Sequence, residues 1–78
     1  MVFSIVDIET TGGSHGNRIT EIAAVKTDGL KILESYETLI NPHIFIPKSI
    51  TLLTGITNSM VSGAPDFEEV SHDFLKFL

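Results

Sequence analysis

The chain has 78 residues, no cysteine and a net charge of −5. That length allows one small domain, which buries only a little over about 60% of its unfolded surface and is marginal alone. Disulfides and a zinc–thiolate site are excluded, no stretch reaches membrane-spanning length, the N-terminus lacks the basic flank of a secretory signal, and the charge argues against broad electrostatic binding of nucleic acid. The expectation is a soluble protein with no membrane partner, compatible with a reducing cytoplasm.

Met1 to Val6 (MVFSIV) is short, apolar and rich in β-formers, and reads as a strand buried on both faces. It runs directly into Asp7-Ile8-Glu9-Thr10-Thr11-Gly12. A polar turn, Gly13-Ser14-His15-Gly16-Asn17, follows. Arg18 to Lys26 (RITEIAAVK) reads as a second strand, Thr27-Asp28-Gly29 as a hairpin turn, and Leu30 to Ile40 (LKILESYETLI) as a third strand ended by Asn41-Pro42. The pattern then changes. Pro47 to Thr54 reads as a short helix stopped by a left-handed Gly55, and Asn58 to Val61 as a helical turn capped by Thr57. A last helix starts near Pro65 or Asp66, with Asp66 and Glu69 as a capping pair. Phe67, Val70, Phe74 and Phe77 repeat at helical spacing, as in a helix packed on a sheet. The chain stops on Phe74-Leu75-Lys76-Phe77-Leu78, an apolar end that suggests truncation or a covering partner. No repeat, linker or low-complexity tract divides it.

The acidic pair carries the chemistry. Side chains alternate along a strand, so Asp7 and Glu9 share a face, with Cα atoms about 7 Å apart. Two like charges that close oppose each other's ionisation unless a cation lies between them. A strand end that carried them only to start a turn would leave them without a partner at a cost. Two divalent ions, roughly 3.5–4 Å apart as in two-metal hydrolytic sites, would resolve the conflict, and metal ions present local positive charge to a phosphate. The face of Glu21 is left open by the alternation, and a local structural role is its default.

The sequence resembles the N-terminal part of a DEDD-type 3′→5′ exonuclease, of the kind that forms the proofreading subunit of bacterial DNA polymerase III. Val6-Asp7-Ile8-Glu9-Thr10-Thr11-Gly12 matches that family's first motif. The matching series continues in order through Ile19–Val25, Leu39–Pro42, Ile50–Thr57 and Ala64–Val70. The resemblance implies an incomplete α/β, RNase H-like fold. A three-stranded antiparallel meander is followed by short helices and a C-terminal helix, with residues 1–78 as the N-terminal portion of an exonuclease domain. It also implies Mg²⁺ or Mn²⁺, two ions in the complete enzyme, with Asp7 ligating both and Glu9 one, and release of nucleoside 5′-monophosphates from a DNA 3′ end, single-stranded or frayed. Thr10, Leu53, Thr54 and Ile56 would bind the 3′-terminal nucleotide, with an ordinary core role equally open for Leu53 and Ile56. A DNA polymerase is the implied partner, in proofreading or repair, and RNA remains open as a substrate.

The family's other catalytic residues, an aspartate from a second motif and a histidine and an aspartate from a third, have no match here. With two metal ligands and no general base this chain alone is expected to be nearly inert and to bind divalent metal weakly. His15 and His43 read as loop residues, and His72-Asp73 as solvated helix surface. Asp66, Glu68, Glu69 and Asp73 sit on or before the last helix, away from a strand end. The first strand is interior in the family fold, so an unpaired edge here is expected to drive self-association. Two rivals fit worse. Haloacid-dehalogenase phosphatases need an aspartate where Glu9 stands and parallel βα units in place of a hairpin. A P-loop lacks its lysine and its following helix. A non-catalytic metal- or nucleic-acid-end-binding module, completed by another chain, is the alternative function.

Overall fold

The computed structural model describes residues 1–12 and 16–78. Three strands, β1 (Phe3–Thr10), β2 (Ile19–Thr27) and β3 (Ile32–Leu39), are followed by α1 (Lys48–Thr54), α2 (Asn58–Ser62) and α3 (Phe67–Phe77). The strands form one antiparallel sheet in the order β1-β2-β3, so β2 is central. The expected meander and helix order are both present. The expected glycine turn at Gly13, Ser14 and His15 lies outside the described residues.

The hairpin between β2 and β3 turns where Thr27-Asp28-Gly29 predicts it. Asp28 Oδ1 accepts the N–H groups of Leu30 (2.9 Å) and Lys31 (3.0 Å), and Gly29 takes φ +96°. These two bonds hold the Asp28 carboxyl below its ordinary range. One residue, Leu33, is extra on β3 because the register steps from Lys26↔Glu34 to Thr27↔Ile32.

Directly opposed residues of an antiparallel pair share a face. One face carries Val6, Ala24 and Tyr36 in a row, then Ile8, Ile22 and Thr38. α3 covers the β2–β3 part of this face. Val70 packs with Ile22 and Ile40, the Tyr36 ring lies 5.9 Å from Phe74 and 5.7 Å from Phe77, and Lys26 Nζ sits 5.1 Å over the Phe77 ring. The helical stripe read from sequence therefore packs through Val70, Phe74 and Phe77, while its first member, Phe67, is 50% exposed.

β1 is not buried on both faces. It is an edge strand, and among the described residues nothing pairs with its outer side. Ile5 is 59% and Ile8 46% exposed. The composition of the strand is that of an interior one, but burial is conferred by neighbours, and α3 packs on β2 and β3.

A second small core lies beyond β3. Ile46, Ile56 and Val61 pack together with Leu39 and Ile50 against them. Asn58 clips this loop closed, its Oδ1 accepting the Ile46 N–H (2.8 Å) and its Nδ2 donating to the Ile46 carbonyl (3.1 Å). α1 ends on Gly55 at φ +80°, and α2 starts at Thr57, whose hydroxyl accepts the Met60 N–H at 3.1 Å. At α3 the Asp66 N–H donates to Glu69 Oε1 at 3.4 Å. Asp66 also contacts the His43 ring, and Asn41 forms a bridge to Asp66, so the turn after β3 is tied to the start of α3.

Candidate metal site at the end of β1

The second sheet face carries the acids. Asp7 pairs with Ala23, which pairs with Glu37; in the next row Glu9 pairs with Glu21, which pairs with Leu39. Asp7 and Glu9 thus share a face, as alternation requires. Glu21, whose face the sequence left open, shares it too, and so does Glu37. In β2 both parities look plausible as an inner face, since Ile22 and Ala24 alternate with Ala23 and Val25. Only pairing to β1 decides. A direct cross-strand register placing Glu21 opposite Glu9 is the signal that was missing, and the long glycine turn between the strands hides it.

Like charges directly opposite each other destabilise a sheet. The effect is visible at Glu21, whose carboxyl is pushed above its ordinary value of 4.5, first by burial and then by the charges of Glu37, Glu9 and Asp7. Conflict of this kind concentrates at functional sites. Hard oxygen donors held close together suit Mg²⁺ or Mn²⁺. The donor set therefore fits a divalent cation, although among the described residues no group of three His, Cys, Asp or Glu side chains converges enough to enclose one.

Beyond its last residue β1 stays tied to the chain before β2. The register slips after Glu9, so Thr20 is extra on β2. Thr11, 1% exposed, donates its N–H to the Arg18 carbonyl (2.8 Å), and its hydroxyl accepts the Arg18 N–H (3.2 Å). Thr10 Oγ1 accepts the Gly12 N–H at 3.2 Å. Gly12 itself stands at φ +66°.

α1 lies at this end of the acidic face, because Ile50 and Leu39 pack on the same small core and Leu39 shares a row with Glu21 and Glu9. Leu53 is 81% exposed, whereas the Ile56 side chain is in the core at 4%. The Thr54 hydroxyl donates to the Ile50 carbonyl (3.0 Å) and accepts the Ile56 N–H (3.1 Å), so its hydrogen is already committed. Of the residues expected from resemblance to meet a nucleotide, Leu53 offers free apolar surface and Ile56 offers none.

His72 and Asp73 are exposed on α3, and His43, at φ +57°, is half-exposed against Asp66; neither histidine belongs to the acidic face. A cleft of about 330 Å³, lined in part by Arg18, Ile19, Ile40, Pro42, His43 and Phe67, includes neither Asp7 nor Glu9. A shallower depression of about 210 Å³ lies against Asp7, beside Ile5, Ala23, Ala24 and Val25.

The antiparallel meander with trailing helices places the chain among α/β domains. The RNase_T exonuclease family matches residues 4–78, and the chain belongs to that family. It is 53% identical over 76 residues to the PolC-type DNA polymerase III of Caldanaerobacter subterraneus subsp. tengcongensis, covering 96% of this chain and 5% of that protein. It is 43% identical over 77 residues to the DNA polymerase III subunit epsilon of Aquifex aeolicus, covering 97% of this chain and 38% of that protein. The chain thus spans well under half the length of these relatives. Among solved structures, a full-length 3′-exonuclease superposes with a TM-score of 0.87 at 25% identity, over 97% of this chain and 28% of that one. Exonuclease X in complex with 5′ overhanging duplex DNA superposes with a TM-score of 0.79 at 33% identity, over 91% and 42%. The architecture accordingly corresponds to part of an RNase H-like exonuclease fold. Among the described residues no helix is long and apolar enough to cross a membrane.

Proposed function

We propose that the protein carrying this chain is a metal-dependent 3′→5′ exonuclease. It hydrolyses DNA phosphodiester bonds from the 3′ end and releases nucleoside 5′-monophosphates, in proofreading or repair in the cytoplasm and alongside a DNA polymerase. The observation that carries this reading is the Asp7–Glu9 pair on one sheet face, set in a chain of an exonuclease family.

In this reading residues 1–78 are the N-terminal portion of the exonuclease domain, and its remaining acids and general base come from chain outside these residues. Asp7 and Glu9 would hold Mg²⁺ or Mn²⁺, and the metal would supply Lewis-acid polarisation of the phosphodiester. Leu53 offers its exposed side chain to the terminal nucleoside. Thr10 and Thr54 shape the turn and the helix end beside it, and Ile56 supports that surface from beneath. The free edge of β1 is the route for self-association of the isolated chain.

The test is digestion of a 3′-labelled single-stranded DNA by the full-length protein in Mg²⁺, with an RNA of the same sequence as the second arm. Asp7→Ala is expected to lower turnover by orders of magnitude with an unchanged circular dichroism spectrum. Near-normal digestion by that variant would refute the assignment. Preference for the RNA would move the substrate class and leave the site intact.

A further inference from the structure

Gly12 lies just beyond the end of β1, and α1 approaches it at Ile50. A Cβ at Gly12 would lie 2.5 Å from Ile50 Cδ1 and 2.8 Å from Ile50 Cγ1, far inside contact distance. Ile50 therefore occupies the space that a side chain at position 12 would need. The same residue reaches the other end of the helix, since its carbonyl accepts the Thr54 hydroxyl at 3.0 Å. α1 is seven residues long, buries no residue fully and has no side-chain cap at its start. So short a helix gains little from its own hydrogen bonds and takes its position from tertiary packing.

The geometry points to Ile50 as a positioning residue: seated on Gly12, it sets the gap between the carboxylate end of β1 and the Leu53–Thr54 end of α1. This deepens the exonuclease reading and rests on it. In that reading the cation is held at one side of the gap and the terminal nucleoside at the other. Reaction rates respond steeply to such spacing, a misplacement of about 1 Å costing on the order of 10²-fold. The glycine at position 12 then has two reasons: its positive φ, and the need to leave room for Ile50.

A double-mutant cycle in the full-length protein tests this. The variants are Gly12→Ala, Ile50→Val, the pair together, and Ile50→Ala, with kcat and KM measured on a single-stranded DNA 3′ end. Ile50→Val removes Cδ1, the atom nearest the missing Cβ, and keeps Cγ1 at 2.8 Å, so it relieves the contact in part. Gly12→Ala is expected to lower kcat by about tenfold or more. Adding Ile50→Val should recover part of that loss, so that the double variant turns over faster than the product of the two single effects gives. Ile50→Ala should lower kcat more than it raises KM, per folded molecule. A merely structural role would shift melting temperature and leave kcat per folded molecule unchanged. Multiplicative losses in the Ile50→Val cycle would overturn the positioning role, and that cycle decides even where Ile50→Ala does not fold. A wild-type protein that releases no nucleotide would instead overturn the exonuclease reading and the positioning role with it.

Discussion

Glu21 shows how one residue registers the state of the site. Its carboxyl binds a proton more tightly in the folded chain than in the unfolded one, because burial and three neighbouring acids oppose its charge. A raised carboxyl destabilises where it must ionise. The Glu21 contribution to stability is therefore most favourable below 4.5 and is lost as pH rises from 4.5 through the raised folded value. Glu21→Gln is expected to raise the melting temperature at pH 7 and to lose that advantage below about pH 4. Mg²⁺ should narrow the difference at pH 7 by relieving the same repulsion. Equal melting curves for wild type and Glu21→Gln at both pH values would count against the acidic face. Asp28 has the opposite sign: its lowered carboxyl stabilises the hairpin above 3.8, and that contribution fades as pH falls through its folded value. Asp7 and Glu9 were legible from alternation alone. Glu21 was not, because its face depends on a register that no local pattern in β2 encodes.

At the scale of elements, the helices were the most readable part. Gly55, Thr57 and the Asp66–Glu69 pair are local signals with local causes, and all three mark ends in the structure. β1 was misread for an equally physical reason. A run such as FSIV records the burial a strand is built for, and here α3 packs on β2 and β3. Ile8 and Ile22 occupy one row of the same face, yet Ile22 is 3% exposed and Ile8 is 46%. In this chain Ile22→Ala is expected to cost about 2–5 kcal/mol in urea unfolding. Ile8→Ala should cost about 0.5 kcal/mol or less. Equal losses would mean that both strands are covered in solution.

Among the described residues α3 covers the sheet over β2 and β3, and the outer edges of β1 and β3 are unpaired. An exposed strand edge with apolar flanks recruits further strands. The isolated 78-residue chain is expected to scatter as an associated species at micromolar concentration. Ile5→Lys, which puts a charge on the β1 edge, should move it toward the monomer. A wild-type chain that scatters as a monomer would contradict this.

The sequence by itself determined the order of elements, their caps and turns, the pairing of Asp7 with Glu9 and the family to which the chain belongs. Each of these follows from contacts between residues near each other in the chain, or from a string of residues read in order. Tertiary structure alone decided that Glu21 and Glu37 join the acidic face, that α3 leaves Ile8 on β1 half-exposed, and that Ile50 fills the space above Gly12. Those facts depend on register and on which surfaces α1 and α3 reach. Such choices are made by packing between distant segments, and no local periodicity carries them.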